Sequence, residues 1–165
     1  MQPEIRYTPE RKLAGRRLIM SLTENRISEL WRSFLPEIDL IPNRLNDELM
    51  SVAVYDPGYF HNYDPARTFE KWAAAELSDL SNLPVGMETL IVPTGMYAVF
   101  EYRGSSTDTS IFQYIFGSWL PASEYLLDTR PHFEILGKNY RINHADSEEQ
   151  IWIPVKEKSK ILQNF

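Results

Sequence analysis

LWRSFLP, Leu30–Pro36, and IFGSWLP, Ile115–Pro121, are one phrase written twice. Each runs aliphatic, aromatic, a variable residue, Ser, aromatic, Leu, Pro, and the second copy follows the first by 85 of the chain's 165 residues. The surroundings repeat as well. Upstream lie strand-like stretches, RKLAGRRLIMSL (Arg11–Leu22) and GMYAVFEYRG (Gly95–Gly104), the latter alternating with period 2 and rich in aromatics. Polar openings follow, TENRIS (Thr23–Ser28) and SSTDTS (Ser105–Ser110), full of side chains that accept from free helix N–H groups. Ile27, Leu30, Trp31 and Phe34 then recur at helical spacing, as do Ile111, Ile115, Phe116 and Trp119. Pro36 and Pro121 are expected to stop the two helices.

Two further strands are expected after each proline. In the first half they are Leu49–Tyr55 and Thr68–Leu77; in the second, His132–Leu136 and Glu149–Val155. Turn-rich loops, DPGYFHNYDPAR and GKNYRINHADSE, separate the members of each pair. The order strand, helix, strand, strand thus occurs twice, over about 5–80 and 87–156, joined by Leu77–Glu88 and followed by a tail, 157–165. Neither unit is large enough to hide a helix and a sheet face alone. The expected fold is therefore one α+β domain, two such units packed as a pseudo-twofold pair around a mainly antiparallel sheet.

Composition narrows the function. A hydrophobic share of 43% with 13% aromatics supports a sizeable core. With no cysteine, disulfide and thiolate chemistry are excluded, and the three histidines show no metal-ligand spacing, so no metal or cofactor is expected. No apolar run reaches the roughly 20 residues of a membrane span, and the N-terminus lacks a secretory apolar region, so a cytoplasmic location is expected. The net charge of −6 and the single dense basic patch, RKLAGRR, argue against nucleic acid and favour a cationic or neutral small partner.

In HFEIL (His132–Leu136), Phe133 and Ile135 share one face, and His132, Glu134 and Leu136 the other. If that second face borders a cavity rather than water, Glu134 is a carboxylate in need of a partner. Trp72 and Trp152 lie out of phase with Ala73 and Ala75, and with Ile151 and Ile153, which suggests aromatic surface beyond one core. A junction between repeats is a favoured ligand site.

VPTGMYAVFEYRG, LPASEYLLDTRPHFEIL and EEQIWIPV together resemble the GyrI-like small-molecule-binding domain, the effector-binding domain of AraC/MerR-type bacterial transcription activators. The resemblance runs from about residue 5 to 156. It implies a groove between repeats that takes hydrophobic, cationic or aromatic compounds, with Glu134 as the charge. The other groove candidates are Tyr97, Tyr55, Trp31, Trp72, Phe116, Trp119 and Trp152, with Tyr59 in a loop able to act as a lid. The position matching Glu134 in the first repeat, near Leu49–Ser51, is not acidic, so an asymmetric site is expected. The sensor half is expected to stand alone, without a DNA-binding domain.

Three functions follow from the resemblance. The first is a stand-alone small-molecule binder that sequesters its ligand or senses it through another regulatory protein. The second is a hydrolase of xenobiotic compounds, with Glu134 as base and Tyr97 as hydrogen-bond donor; Glu101 is a competing carboxylate with no feature to prefer it. The third is a protein-binding inhibitor of the gyrase-inhibitor type, for which the tail KEKSKILQNF is the compatible segment.

Overall fold

The computed structural model describes residues 1–158. The tail beyond 158, considered above as a partner contact, lies outside the described residues. In the first half, β2 (Arg11–Met20) leads into α1 (Ile27–Phe34), a 3-10 turn (Leu35–Leu40), β3 (Leu49–Val54) and β4 (Phe69–Leu77). The second half repeats this with β6 (Gly95–Arg103), α2 (Ser110–Tyr114), a π-helical turn (Ile115–Trp119), α3 (Leu120–Ala122), β8 (His132–Leu136) and β9 (Glu148–Glu157). Three strands were not foreseen: β1 (Glu4–Thr8), β5 (Glu88–Val92) and β7 (Tyr125–Leu127).

The strands form an antiparallel sheet in the order β1-β6-β9-β8-β3-β4-β2-β5, with β7 pairing along β9. The order is symmetric about the β8–β3 pair. The unforeseen β1 and β5 are exchanged between halves: β1 pairs with β6 of the second, and β5 with β2 of the first. Each half therefore completes the other's sheet edge, and no strand register joins β1 to its sequence neighbour β2.

The helix starts repeat in detail. Asn25 Oδ1 accepts from the Ile27 N–H at 2.9 Å, and Asp108 Oδ1 from the Ser110 N–H at 2.9 Å. The prolines do not end the helices as expected. Pro36 lies in the 3-10 turn and Pro121 within α3, and each of these segments continues the preceding helix without a break. The wider π turn precedes Pro121 and carries Phe116.

Helices cover one face of the sheet. Leu30 and Phe34 pack on Ala14, Ala73 and Ala75, while Ile111, Ile115 and Trp119 pack on Phe100, Ile151 and Ile153. The small residues of β4 let α1 approach closely. Among the described residues the other face carries no helix yet is buried: Leu13, Val52, Trp72, Tyr97, Phe133 and Trp152 belong to one cluster. The sheet closes over itself there, so that Arg11 of β2 lies over the rings of Phe133 (5.2 Å) and Trp152 (4.9 Å) on β8 and β9. Among the described residues, no helix is long and apolar enough to cross a membrane.

Candidate functional site

The phase of β8 places Glu134. Phe133 and Ile135 enter the helix-free core, so His132 and Glu134 face the helix side, in the gap between α1 and the α2–α3 run. Glu134 stands beside the pseudo-twofold axis, where its cross-strand partner is Ser51. The symmetry is broken a second time. Lys71 lies opposite Leu18 and Ala53. Its counterpart, Glu149, lies opposite Tyr102, one step beyond the Ile135–Gln150 pair. Four symmetric positions thus hold Ser, Glu, Lys and Glu.

One end of this groove is aromatic. The loop after β3 folds back so that Tyr55 meets Tyr59 (4.5 Å between ring centres), Phe69 (5.0 Å) and His132 (4.8 Å). Phe60 completes a triangle of rings with His132, 5.4 Å away and nearly parallel at 10°, and Phe116, 5.2 Å away at 26°, which are themselves 6.1 Å apart. Phe60 is still 39% exposed. Burial, then the charge of Lys71, push His132 down to about 3, so at neutral pH it is an uncharged flat wall. Burial, and after it Tyr59 and Glu134, raise the Tyr55 hydroxyl well above its ordinary value.

The other end is acidic. Glu149 is 8% exposed and its Oε2 has no hydrogen-bond partner. Burial, the Glu134 charge and a hydrogen bond between the two carboxyls push Glu149 up to about 8, against the opposing pull of Lys71. Neighbouring carboxyls oppose each other's ionisation, which helps to keep the proton on Glu149. Tyr140, from the loop after β8, lies beside Ser106 and both carboxyls, and burial raises its hydroxyl.

The sign of the resulting pH effect follows. A carboxyl raised in the folded state contributes stability that is full below its unfolded value, near 4.5, and is lost as pH rises through about 8. His132, depressed on folding, acts oppositely, with its stability complete only above its unfolded value of 6.5. From pH 6.5 to 8 the Glu149 effect stands alone. Thermal melting should show falling stability over that window in the wild type and a flatter profile in Glu149→Gln.

Of the nine residues proposed from sequence, the structure brings Glu134, Tyr55, Tyr59 and Phe116 to the groove. Tyr97, Trp72 and Trp152 lie on the opposite face, in the closed core. The Tyr97 hydroxyl donates to the Pro131 carbonyl at 2.7 Å, and the Arg130 guanidinium lies over its ring. The tryptophans of the last strands are not symmetry mates: Gln150, opposite Ile135 and Glu101, takes the place that Trp72 holds opposite Val52 and Arg17. Trp31 packs edge-on against Phe34 at 5.9 Å, within the contact of α1 with the sheet. Trp119 is buried against Phe100 and borders a separate depression of about 380 Å³ with Ile5, Tyr114 and Tyr125. That depression lies away from Glu134 and contains no buried unpaired polar atom. Sequence reasoning missed His132, Phe60, Lys71, Tyr140 and Glu149. No three His, Asp or Glu side chains cluster as metal ligands among the described residues.

A duplicated strand-helix-strand-strand domain with a groove at its axis, greasy at one end and acidic at the other, is the architecture of an effector-binding domain. The chain belongs to the Cass2 family, described as integron-associated effector binding protein, whose pattern matches residues 4–155. No curated protein sequence matches it. Among solved structures it is similar to SAV2435 bound to tetraphenylphosphonium, with a TM-score of 0.74, 14% identity and coverage of 94% of each chain. An integron cassette protein from the mobile metagenome of Vibrio cholerae superposes with a TM-score of 0.65 at 14% identity, over 94% of this chain and 96% of that one. EcmrR in its complex with DNA matches at 0.72 and 14% identity, 95% of this chain covering 58% of that one.

Proposed function

We propose that this protein binds hydrophobic cations in the groove between α1 and the α2–α3 run, with Glu134 as the counter-charge. The observation that carries this is a buried carboxyl with an unpartnered oxygen, Glu149, beside Glu134 and a cluster of aromatic rings. A lipophilic cation loses little hydration on entering such a site, and it gains both the charge and the ring faces. The ligand of SAV2435, tetraphenylphosphonium, supports the reading by its chemistry. Calorimetric titration with tetraphenylphosphonium tests it: one saturable site per chain is expected. Absence of binding by this and other aromatic cations would overturn the proposal.

Phe60 covers the faces of His132 and Phe116 that an aromatic ligand would meet, so ring contact there requires it to swing outward on its loop. Each aromatic pair is worth about 0.5–1.5 kcal/mol beyond area burial. Phe60 makes four such pairs, with Tyr55, Tyr59, His132 and Phe116; removing in advance the two that a ligand must displace, those with His132 and Phe116, Phe60→Ala should tighten binding of tetraphenylphosphonium by about tenfold, read in the same titration. Unchanged affinity would mean that the ligand sits elsewhere.

Hydrolysis has one observation in its favour, two neighbouring carboxyls of which Glu149, pushed up to about 8, can serve as a proton donor. Glu149, rather than Tyr97, shares a wall with Glu134. Turnover of an aromatic ester or strained xenobiotic, lost in both Glu134→Gln and Glu149→Gln, would establish it.

A further inference from the structure

The groove's two ends differ in chemistry, and this bears on which cation it accepts. The aromatic end is a cluster in which Phe60 lays its ring against both His132 and Phe116, which also meet each other at 6.1 Å. The acidic end offers hydrogen-bond acceptors rather than a bare charge. Glu149, more than nine-tenths buried, keeps an unpartnered Oε2 there, and Glu134 lies alongside. Among the described residues no ion pair within 4.0 Å is made by Lys71, Glu134 or Glu149, so none of these charges is already neutralised at contact distance. With both carboxyls ionised, Lys71 leaves one negative charge in excess.

Resting on the cation-binding reading above, we infer that the groove is built for an amphiphilic monocation: a flat aromatic body in the place that Phe60 holds against His132 and Phe116, and an N–H-bearing head that donates to Glu134 and Glu149 together. A protonated primary amine or an amidinium meets this description. A fully substituted cation binds through charge and ring contact alone and so more weakly, because it leaves the buried Oε2 of Glu149 without a donor, and an unsatisfied buried acceptor opposes binding. A dication would carry one charge too many for a site that Lys71 already balances in part.

The test uses two probes of equal charge and nearly equal body, 1-naphthylmethylammonium and its N,N,N-trimethyl derivative, titrated into the full chain beside tetraphenylphosphonium. The wild type should bind the primary ammonium at least tenfold more tightly than the trimethyl probe. Glu149→Gln should reduce that advantage to within threefold by weakening the ammonium alone. Equal affinity of the two naphthyl probes for the wild type, or an equal loss of both in the variant, would overturn the inference while leaving cation binding intact. Failure of all three probes to bind the wild type would overturn the cation reading together with it. The wild-type comparison needs no variant, so it stands whether or not Glu149→Gln folds.

Discussion

Replacing Glu134 by Gln is expected to weaken binding of tetraphenylphosphonium by about 30- to 100-fold. The substitution keeps shape and removes one negative charge. At a separation of about 5 Å and an effective dielectric constant near 20, that charge is worth about 3 kcal/mol to a monocation. The loss is compounded because Lys71 stays: with Glu149 protonated, the site turns from neutral to net positive. Part is recovered if Glu149 then ionises more readily, since the neighbour that held its proton has gone, and this sets the lower end of the range. A neutral aromatic compound of similar size should lose less than threefold. Equal losses for the cation and the neutral compound would indicate a distorted groove rather than a missing charge.

The second large effect concerns folding. Gly15 lies on β2 opposite Ala74 of β4, and a Cβ there would fall on the carbonyl oxygen of Ala73 and within 2.7 Å of the Ala74 Cα. Both obstacles are backbone in the middle of the β2–β4 pairing, so no side-chain rotation relieves them. Gly15→Ala must therefore part the strands that support α1. Overpacking of this kind costs about 3 kcal/mol, roughly a 10 °C fall in Tm for a chain of this size. A Tm within 2 °C of wild type would show that the two strands separate more easily than the pairing implies. Gly117, by contrast, has nothing within 4 Å of its absent Cβ, and Gly117→Ala should leave Tm nearly unchanged.

The duplication was legible because its signals are local. A repeated phrase, proline at matching places and the period-2 runs each depend only on nearby residues. The exchanged strands were not, because EIRYT and ETLIV carry no mark of which half they will pair with. That choice is made by closure of the sheet, where Arg11 reaches Phe133 and Trp152.

The site was legible in part for the same reason. Alternation correctly put Trp72 and Trp152 opposite the aliphatics of their strands. It could not say that the helix-free face is the closed one, and so it turned core tryptophans into groove candidates. Glu149 did leave a trace: it shares phase with Ile151 and Ile153, which face the helices. A carboxylate in phase with two core isoleucines marks a buried acid. Lys71, in phase with Ala73 and Ala75, carried the same mark. His132 was placed on the Glu134 face, yet its neutral, ring-like role depends on Tyr55 and Phe60 arriving from a loop.

The groove at Glu134 and the depression beside Trp119 are alternative seats for a lipophilic cation, and locating the cation distinguishes them. Tetraphenylarsonium has the shape and charge of tetraphenylphosphonium, and its arsenic gives an anomalous signal in crystals of the complex. The cation-binding account predicts one arsenic peak between α1 and the α2–α3 run, within about 6 Å of the Glu134 carboxylate, a distance at which the Coulomb attraction still exceeds thermal energy several-fold, with Phe60 displaced from its contacts with His132 and Phe116. A peak beside Trp119 and Tyr125, with those contacts intact, would contradict it.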